Sequence, residues 1–400
     1  MIIHFFQIIS IFLLVLLFIF SSVGYGKFLR NIVFKDVSVL NIGEAGLLGI
    51  FFLIIFSYIS SFLFAHNSIH NIIVLLLGLF LFFLKKEKIE LKHLNLLLFI
   101  TIVSFSFFLI SKNHDDFPYY HFPYTYLLTQ YSHPIGLGLL NNGFRNPSSL
   151  FFFNSLLFFP KIDIYLIHLG SVYFLGFSNL FFLKNIFSKF NYKKFRFYNF
   201  LNLFCLILVN VLFVRLAEYG TDRGGQVLLL VGVLILLLLI NDKSKSSNFI
   251  KEDLIKFFLI IGALILSLKP FYLIYAPLIF SFLIFPNLKT NFIAVIKSST
   301  FLLVLIYSFF SFFYTFINSS CIIFPLNFTC FENLSWSIPK NEINDVKIWY
   351  ELWSKAGATP NLIVENRLDY TENFNWVPNW IENYFFNKVS DFLLSILFIL

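Results

Sequence analysis

Two carboxylates stand side by side in the stretch HDDFPYYH, at Asp115 and Asp116. Close like charges resist joint ionisation, so such a pair can hold one carboxylate as a base or bind a divalent cation. His114, Tyr120 and His121 flank the pair. Further along, RLAEYGTDRGG carries Arg215, Glu218, Asp222 and Arg223, and Lys269-Pro270 interrupts an apolar run. Gathered into one cleft, these groups suit transfer from a phosphate leaving group. Cations stabilise the phosphate as its charge grows, while a carboxylate deprotonates an acceptor hydroxyl. A plainer reading stands beside this one. The Asp pair caps a helix, Lys269 snorkels to lipid headgroups, and Arg215 and Arg223 anchor helix ends or pair with Glu218 and Asp222.

Composition says what must position these residues. Of 400 residues, 58% are hydrophobic and only 12% are charged, against about 25% charged in an ordinary soluble domain. A soluble core cannot hide that much apolar surface, and a disordered chain would not carry it. The class that remains is an all-α integral membrane protein, with lipid as the missing apolar partner. Phe supplies 60 residues; with Ile, Asn and Lys also plentiful, this reads as AT-rich codon bias.

Apolar runs predict ten spans, at 2–23, 45–65, 71–84, 94–110, 164–182, 198–214, 226–240, 254–268, 271–285 and 292–317. An eleventh begins near Val389 and meets the chain end at Leu400, which implies a continuation. The first run has no basic residue before it and no small-residue cleavage site after it, so it reads as a helix and not a signal peptide. The domains expected are residues 1–110 (four spans), 111–163 (first long outer loop with an interfacial helix), 164–317 (six spans), 318–388 (second outer segment) and 389–400.

Basic residues orient this frame, since Lys and Arg collect in cytoplasmic loops. Alternate short loops carry Lys27, Arg30 and Lys35; then Lys85, Lys86, Lys88 and Lys92; then Lys184, Lys189, Lys193, Lys194 and Arg196; then Lys243, Lys245 and Lys251; then Lys289. All fall on one side, which puts the N-terminus and both long segments outside a bacterial inner membrane. The net charge of +8 is thereby a matter of orientation and not of nucleic-acid binding. Lys256 and Lys297 sit near inner span ends. The short inner loops hold no Walker A pattern.

Of three cysteines, Cys205 lies inside a span, and Cys321 and Cys330 share the last outer segment. An oxidising compartment favours a Cys321–Cys330 disulfide. That segment also holds many acids and the tryptophans Trp336, Trp349, Trp353, Trp376 and Trp380. Glu342–Lys355 reads as an amphipathic helix with Ile343, Val346, Trp349 and Trp353 on one stripe. Tryptophans beside carboxylates suit carbohydrate stacking, or they simply pack and anchor at the interface.

This layout resembles the GT-C superfamily of polytopic glycosyltransferases. The resemblance covers most of the chain in topology and rests on short motifs. It implies a sugar donor linked to polyprenyl phosphate, a glycan or lipid acceptor, and chemistry on the extracytoplasmic side. Asp115 or Asp116 would be the catalytic base. Arg215, Arg223 and Lys269 would hold the phosphate, with His114, Tyr120, His121 and Asp222 lining the site. In one respect the chain departs: four spans precede its acidic loop, where the family has one. HDDFPYYH, GFRNPSSLFFFNS and CIIFPLNFTCFENLSWSIP also resemble stretches of uncharacterised bacterial multi-pass membrane proteins. Other classes are an O-antigen polymerase or ligase, a transporter and a non-catalytic membrane protein. Transport would need charge deep in the spans or repeated halves, and neither is evident.

Overall fold

The computed structural model describes residues 2–34, 41–84, 91–108, 115–162, 164–167, 169–187, 196–212, 220–241, 248–359, 362–390 and 393–394. It is helical nearly throughout, and among the described residues the only sheet is one two-stranded hairpin. Among the described residues, four helices are long and apolar enough to cross a membrane, or five if one sharply bent pair counts as a single span. The chain divides into two units, residues 1–134 with 147–311, and residues 135–146 with 312–400. The predicted first outer loop is thus shared between the two.

The first unit begins with α1 (Ile2–Val33), α2 (Ile42–Leu63), α3 (Ser68–Leu84) and α4 (Leu91–Phe108). Small residues let these helices meet at backbone distance. A Cβ on Gly49 would lie 1.8 Å from the Ser22 carbonyl oxygen, and one on Gly26 would lie 1.6 Å from that of Ala45. Ser22 and Gly26 on α1, with Ala45 and Gly49 on α2, therefore form a pair of small-xxx-small seams, the close packing that replaces hydrophobic drive inside lipid. Helix α1 continues ten residues past its predicted span. Lys27 and Arg30, expected in a loop, lie within the helix; Lys27 sits over the Phe82 ring and Arg30 is buried.

A five-residue π turn, Phe117–His121, runs into α5 (Phe122–Gln130). Pro118 and Pro123 fall in the first turns of these two pieces, where a missing N–H costs nothing. Next comes α6 (Ser149–Ser155), with Leu150–Phe153 almost wholly buried. An outer loop was expected there. The physical reason for burial is a run of phenylalanines whose polar backbone is satisfied by neighbours: Ser57 donates to the Phe152 carbonyl, and Asn71 to those of Ser155 and Phe158.

The unit continues with α7 (Gly170–Phe187), α8 (Arg196–Leu212), α9 (Asp222–Asn241) and α10 (Asn248–Leu268). The ninth and tenth predicted spans are redistributed. Residues Pro270–Phe280 wind as a 3-10 helix, then come α11 (Ser281–Ile284), α12 (Pro286–Ile296) and α13 (Ser299–Ser319). The path turns by 118° between α11 and α12. Pro286 stands at this break and cannot donate to the turn before it, so the preceding helix stops there.

In the second unit the expected disulfide is present: Cys321 and Cys330 are joined, and Cys205 is free and buried. Cys321, Phe324 and Ile338 pack with Ile343 and Val346 of α14 (Lys340–Ser354). Arg145 is buried here, paired with Glu342 and donating to the Gly138 carbonyl. The expected α14 stripe is corrected in part. Ile343, Val346 and Leu352 point inward, while Trp349 and Trp353 are about half exposed and stack on each other with centroids 5.5 Å apart. At about 100° per residue Leu352 lies about 180° round the helix from Ile343, so α14 is buried on two sides. After a short hairpin, β1 (Ala358–Thr359) with β2 (Leu362–Ile363), the chain forms α15 (Arg367–Thr371), α16 (Val377–Trp380) and a π-helical segment, Ile381–Val389.

Candidate functional site

Among the predicted site residues, Asp222, Arg223 and Lys269 meet at the N-terminus of α9. Asp222 opens that helix, where the dipole favours a negative charge. Its carboxylate accepts from Lys269 Nζ at 2.6 Å and from Thr221 Oγ1 at 3.1 Å. Lys269 comes from the start of the 3-10 segment, so this ion pair ties two elements together. Both side chains keep more than two-fifths of their surface exposed.

Tyr272 is the residue that sequence reasoning missed. Its hydroxyl donates to the Asp222 carbonyl at 2.5 Å, and its ring packs where a Cβ on Gly225 would stand, at 2.3 Å. Within KPFYLIY it reads as one more aromatic of a span, and nothing in the spacing singles it out. Arg223 donates to Gln226 along the same helix and lies within electrostatic reach of Tyr272.

The acidic loop holds a second group. Asp116 precedes the π turn without capping it through its side chain; its carboxylate instead accepts from the Tyr120 hydroxyl at 3.1 Å. Asp115 is exposed. Tyr120 and His121 meet edge to face at 4.4 Å, and His121 is buried against Phe151. Tyr120 and His121 both meet the Phe151 ring, at 6.3 and 5.3 Å. The structure thus gives two groups in this unit, Asp116, Tyr120 and His121 at the π turn and Asp222, Arg223 and Lys269 at the start of α9. His114 and Arg215 lie outside the described residues.

A chain of polar residues deeper in the same unit was also missed. His66 is fully buried, with Nε2 2.9 Å from Ser60 Oγ and Nδ1 2.6 Å from Ser155 Oγ. Tyr124 and His133 form a second buried pair at 2.7 Å. Burial holds both imidazoles neutral, His66 well below its ordinary pKa and His133 down to about 3. These groups knit α2, α5 and α6 together. Among the described residues no three His, Cys, Asp or Glu side chains gather as a metal cluster would.

A protein family described as a domain of unknown function, DUF8201, matches residues 8–400. The chain belongs to that family. No curated protein and no solved structure matches it.

Proposed function

We propose that this member of DUF8201 is a membrane glycosyltransferase of GT-C type, acting on the extracytoplasmic side with a polyprenyl-phosphate-linked donor. The observation that carries the reading is the half-exposed Asp222–Lys269 ion pair at the start of α9, with Asp116 of the acidic loop held by the Tyr120 hydroxyl. Asp116 serves as the base, taking the proton of the acceptor hydroxyl. The acceptor oxygen forms a bond to the anomeric carbon as the bond from that carbon to the phosphate oxygen breaks. The lipid phosphate leaves with the electron pair, and Lys269 and Arg223 stabilise its growing charge. Lys269 suits this because an ammonium has three donors and Asp222 uses one. Tyr120 positions the base and Tyr272 the ion pair. Acceptors are glycans or lipids in the cell envelope.

The alternation of basic loops supports an N-terminus outside, and the Cys321–Cys330 disulfide agrees with an oxidising side for the second unit. The test is sugar transfer by the purified protein in lipid nanodiscs, supplied with polyisoprenyl-phosphate sugars. Asp116→Asn is expected to lower turnover at least about a hundredfold, the usual worth of a general base. Unchanged turnover in that variant, with loss only in Arg223→Ala, would replace this reading with a polymerase or ligase built on basic residues.

A further inference from the structure

Between Lys297 and Glu332 the chain carries no Asp, Glu, Lys, Arg or His. Helix α13 accounts for only part of that run. Its 21 residues rise about 31 Å at 1.5 Å each, enough for the hydrocarbon core of a bilayer. Residues 320–331 follow as an uncharged surplus beyond the span, and they belong to the second unit together with the last turns of α13.

The Cys321–Cys330 disulfide closes this surplus into a loop with two faces. Cys321 and Phe324 face inward and pack on Ile338, Ile343 and Val346. Ile322, Leu326, Phe328 and Phe331 lie on the surface, and Phe328 is 87% exposed. Such a knob of large apolar side chains is costly to hold in water. The loop also satisfies much of its own backbone. The Ile322 N–H donates to the Thr329 carbonyl and that of Ile323 to the Thr329 hydroxyl. Those of Leu326, Thr329 and Cys330 donate to the carbonyls of Ile323, Leu326 and Asn327. Its two polar side chains are engaged as well, since Asn327 donates to Asn344 and the Thr329 hydroxyl to the Ile323 carbonyl. A backbone occupied in this way can enter an apolar medium at low cost, whereas one that depends on water cannot.

We infer that the 320–331 loop is a membrane-docking knob, whose exposed face enters the headgroup and upper acyl region of the bilayer that α13 crosses. The occupant is lipid because the loop continues directly from a helix with Leu302, Leu305 and Phe309 exposed along it, and because it offers no charge to a protein partner. The residues after it mark the level of water. Glu332 is the first charge, and it pairs with Lys340 at 3.2 Å with both side chains mostly exposed. In the sequence between them, Trp336 sets its ring edge-on to Phe316 near the end of α13 and donates its indole N–H to the Phe316 carbonyl. An amphipathic ring held in this way suits the membrane interface. The knob thereby holds the second unit against the bilayer surface. The inference rests on α13 as a membrane span and on no part of the transfer chemistry.

Photocrosslinking of the full chain in nanodiscs of phosphatidylethanolamine and phosphatidylglycerol tests this. The photoreactive p-benzoylphenylalanine replaces Phe328, Phe309 of α13 or the exposed Lys347 of α14, one position at a time, and intact mass reads the adduct. Position 328 is expected to gain lipid mass as readily as position 309. Its yield should exceed that at 347 by at least about tenfold, the preference that burial of a phenylalanine ring confers. Lipid adducts at 309 with none at 328 would overturn the docking knob and leave the span standing. Equal yields at 328 and 347 would overturn it too, as would an adduct at 328 to a second copy of the chain in place of lipid. No lipid at either 309 or 328 would overturn the span and the knob together. Leu326, in the same loop, takes the place of Phe328 with the same expectations if that variant does not fold. Asp116→Asn should leave every adduct unchanged, so failure of the transfer reading and failure of the knob are read separately.

Discussion

Two aspartate–lysine pairs in the first unit have nearly the same length and opposite characters. Lys256 and Asp253 are 2.8 Å apart, three residues apart on α10, and both are almost fully buried. Lys269 and Asp222 are 2.6 Å apart, come from different elements and are nearly half exposed. The buried lysine also donates to the Val33 carbonyl at the end of α1 and faces the Phe34 ring. It closes one helix with a side chain from another, where the dipole favours a cation. The exposed lysine keeps donors open to exchange. A pair without water is committed to the fold, because losing one partner strands a buried charge. A half-solvated pair can trade its partner for a substrate at little cost.

The sharpest way to break this comparison is Lys256→Ala. It takes a buried partner from both the Asp253 carboxylate and the Val33 carbonyl, and a loss of about 3–5 kcal/mol of stability is expected in thermal or denaturant unfolding. Lys256→Met with Asp253→Leu should recover most of that loss, since a well-packed apolar pair of similar volume is often neutral. If the double variant is as unstable as the single one, helix closure at Val33 and not charge burial is the main term.

The buried histidines come next, and acid is the probe. His133 titrates near pH 3 folded and near 6.5 unfolded. Between those values the unfolded chain binds a proton that the folded chain refuses, so stability is whole above about pH 6.5 and falls as pH drops. His66 acts in the same direction. At pH 4 the loss from His133 alone is on the order of 3 kcal/mol. His133→Gln keeps an acceptor for Tyr124 and should flatten the slope of the unfolding midpoint between pH 6.5 and 4. An unaltered slope would mean that water reaches this imidazole in the folded protein.

The smallest change in stability is expected from Lys269→Ala, less than about 1 kcal/mol and reduced further by salt. Turnover and lipid-phosphate occupancy should nevertheless both fall strongly. A destabilisation above roughly 2 kcal/mol with transfer intact would make this pair a structural tie like its buried counterpart, and the contrast would be lost.

Much of the frame was legible without coordinates. Long apolar runs imply helices because only a helix satisfies its own backbone in lipid. Two nearby cysteines in one outer segment implied their bond. The boundaries were less legible where polar residues are absorbed by packing: α1 runs on through Lys27 and Arg30 because one finds an aromatic face and the other a buried setting. The small-residue seams at Ser22–Gly26 and Ala45–Gly49 were present as letters, but their meaning depends on which helices meet.

The candidate site divides along the same line. Residue types alone marked Asp116, His121, Asp222 and Lys269 as able to do chemistry, since charge is rare in this chain and therefore conspicuous. The meeting of Asp222 and Lys269 depends on tertiary structure. The α9 and 3-10 elements bring residues 222 and 269 together across 47 positions. Tyr272 stayed hidden for a related reason. In a chain this rich in aromatics, one more tyrosine carries no signal until its neighbours are known.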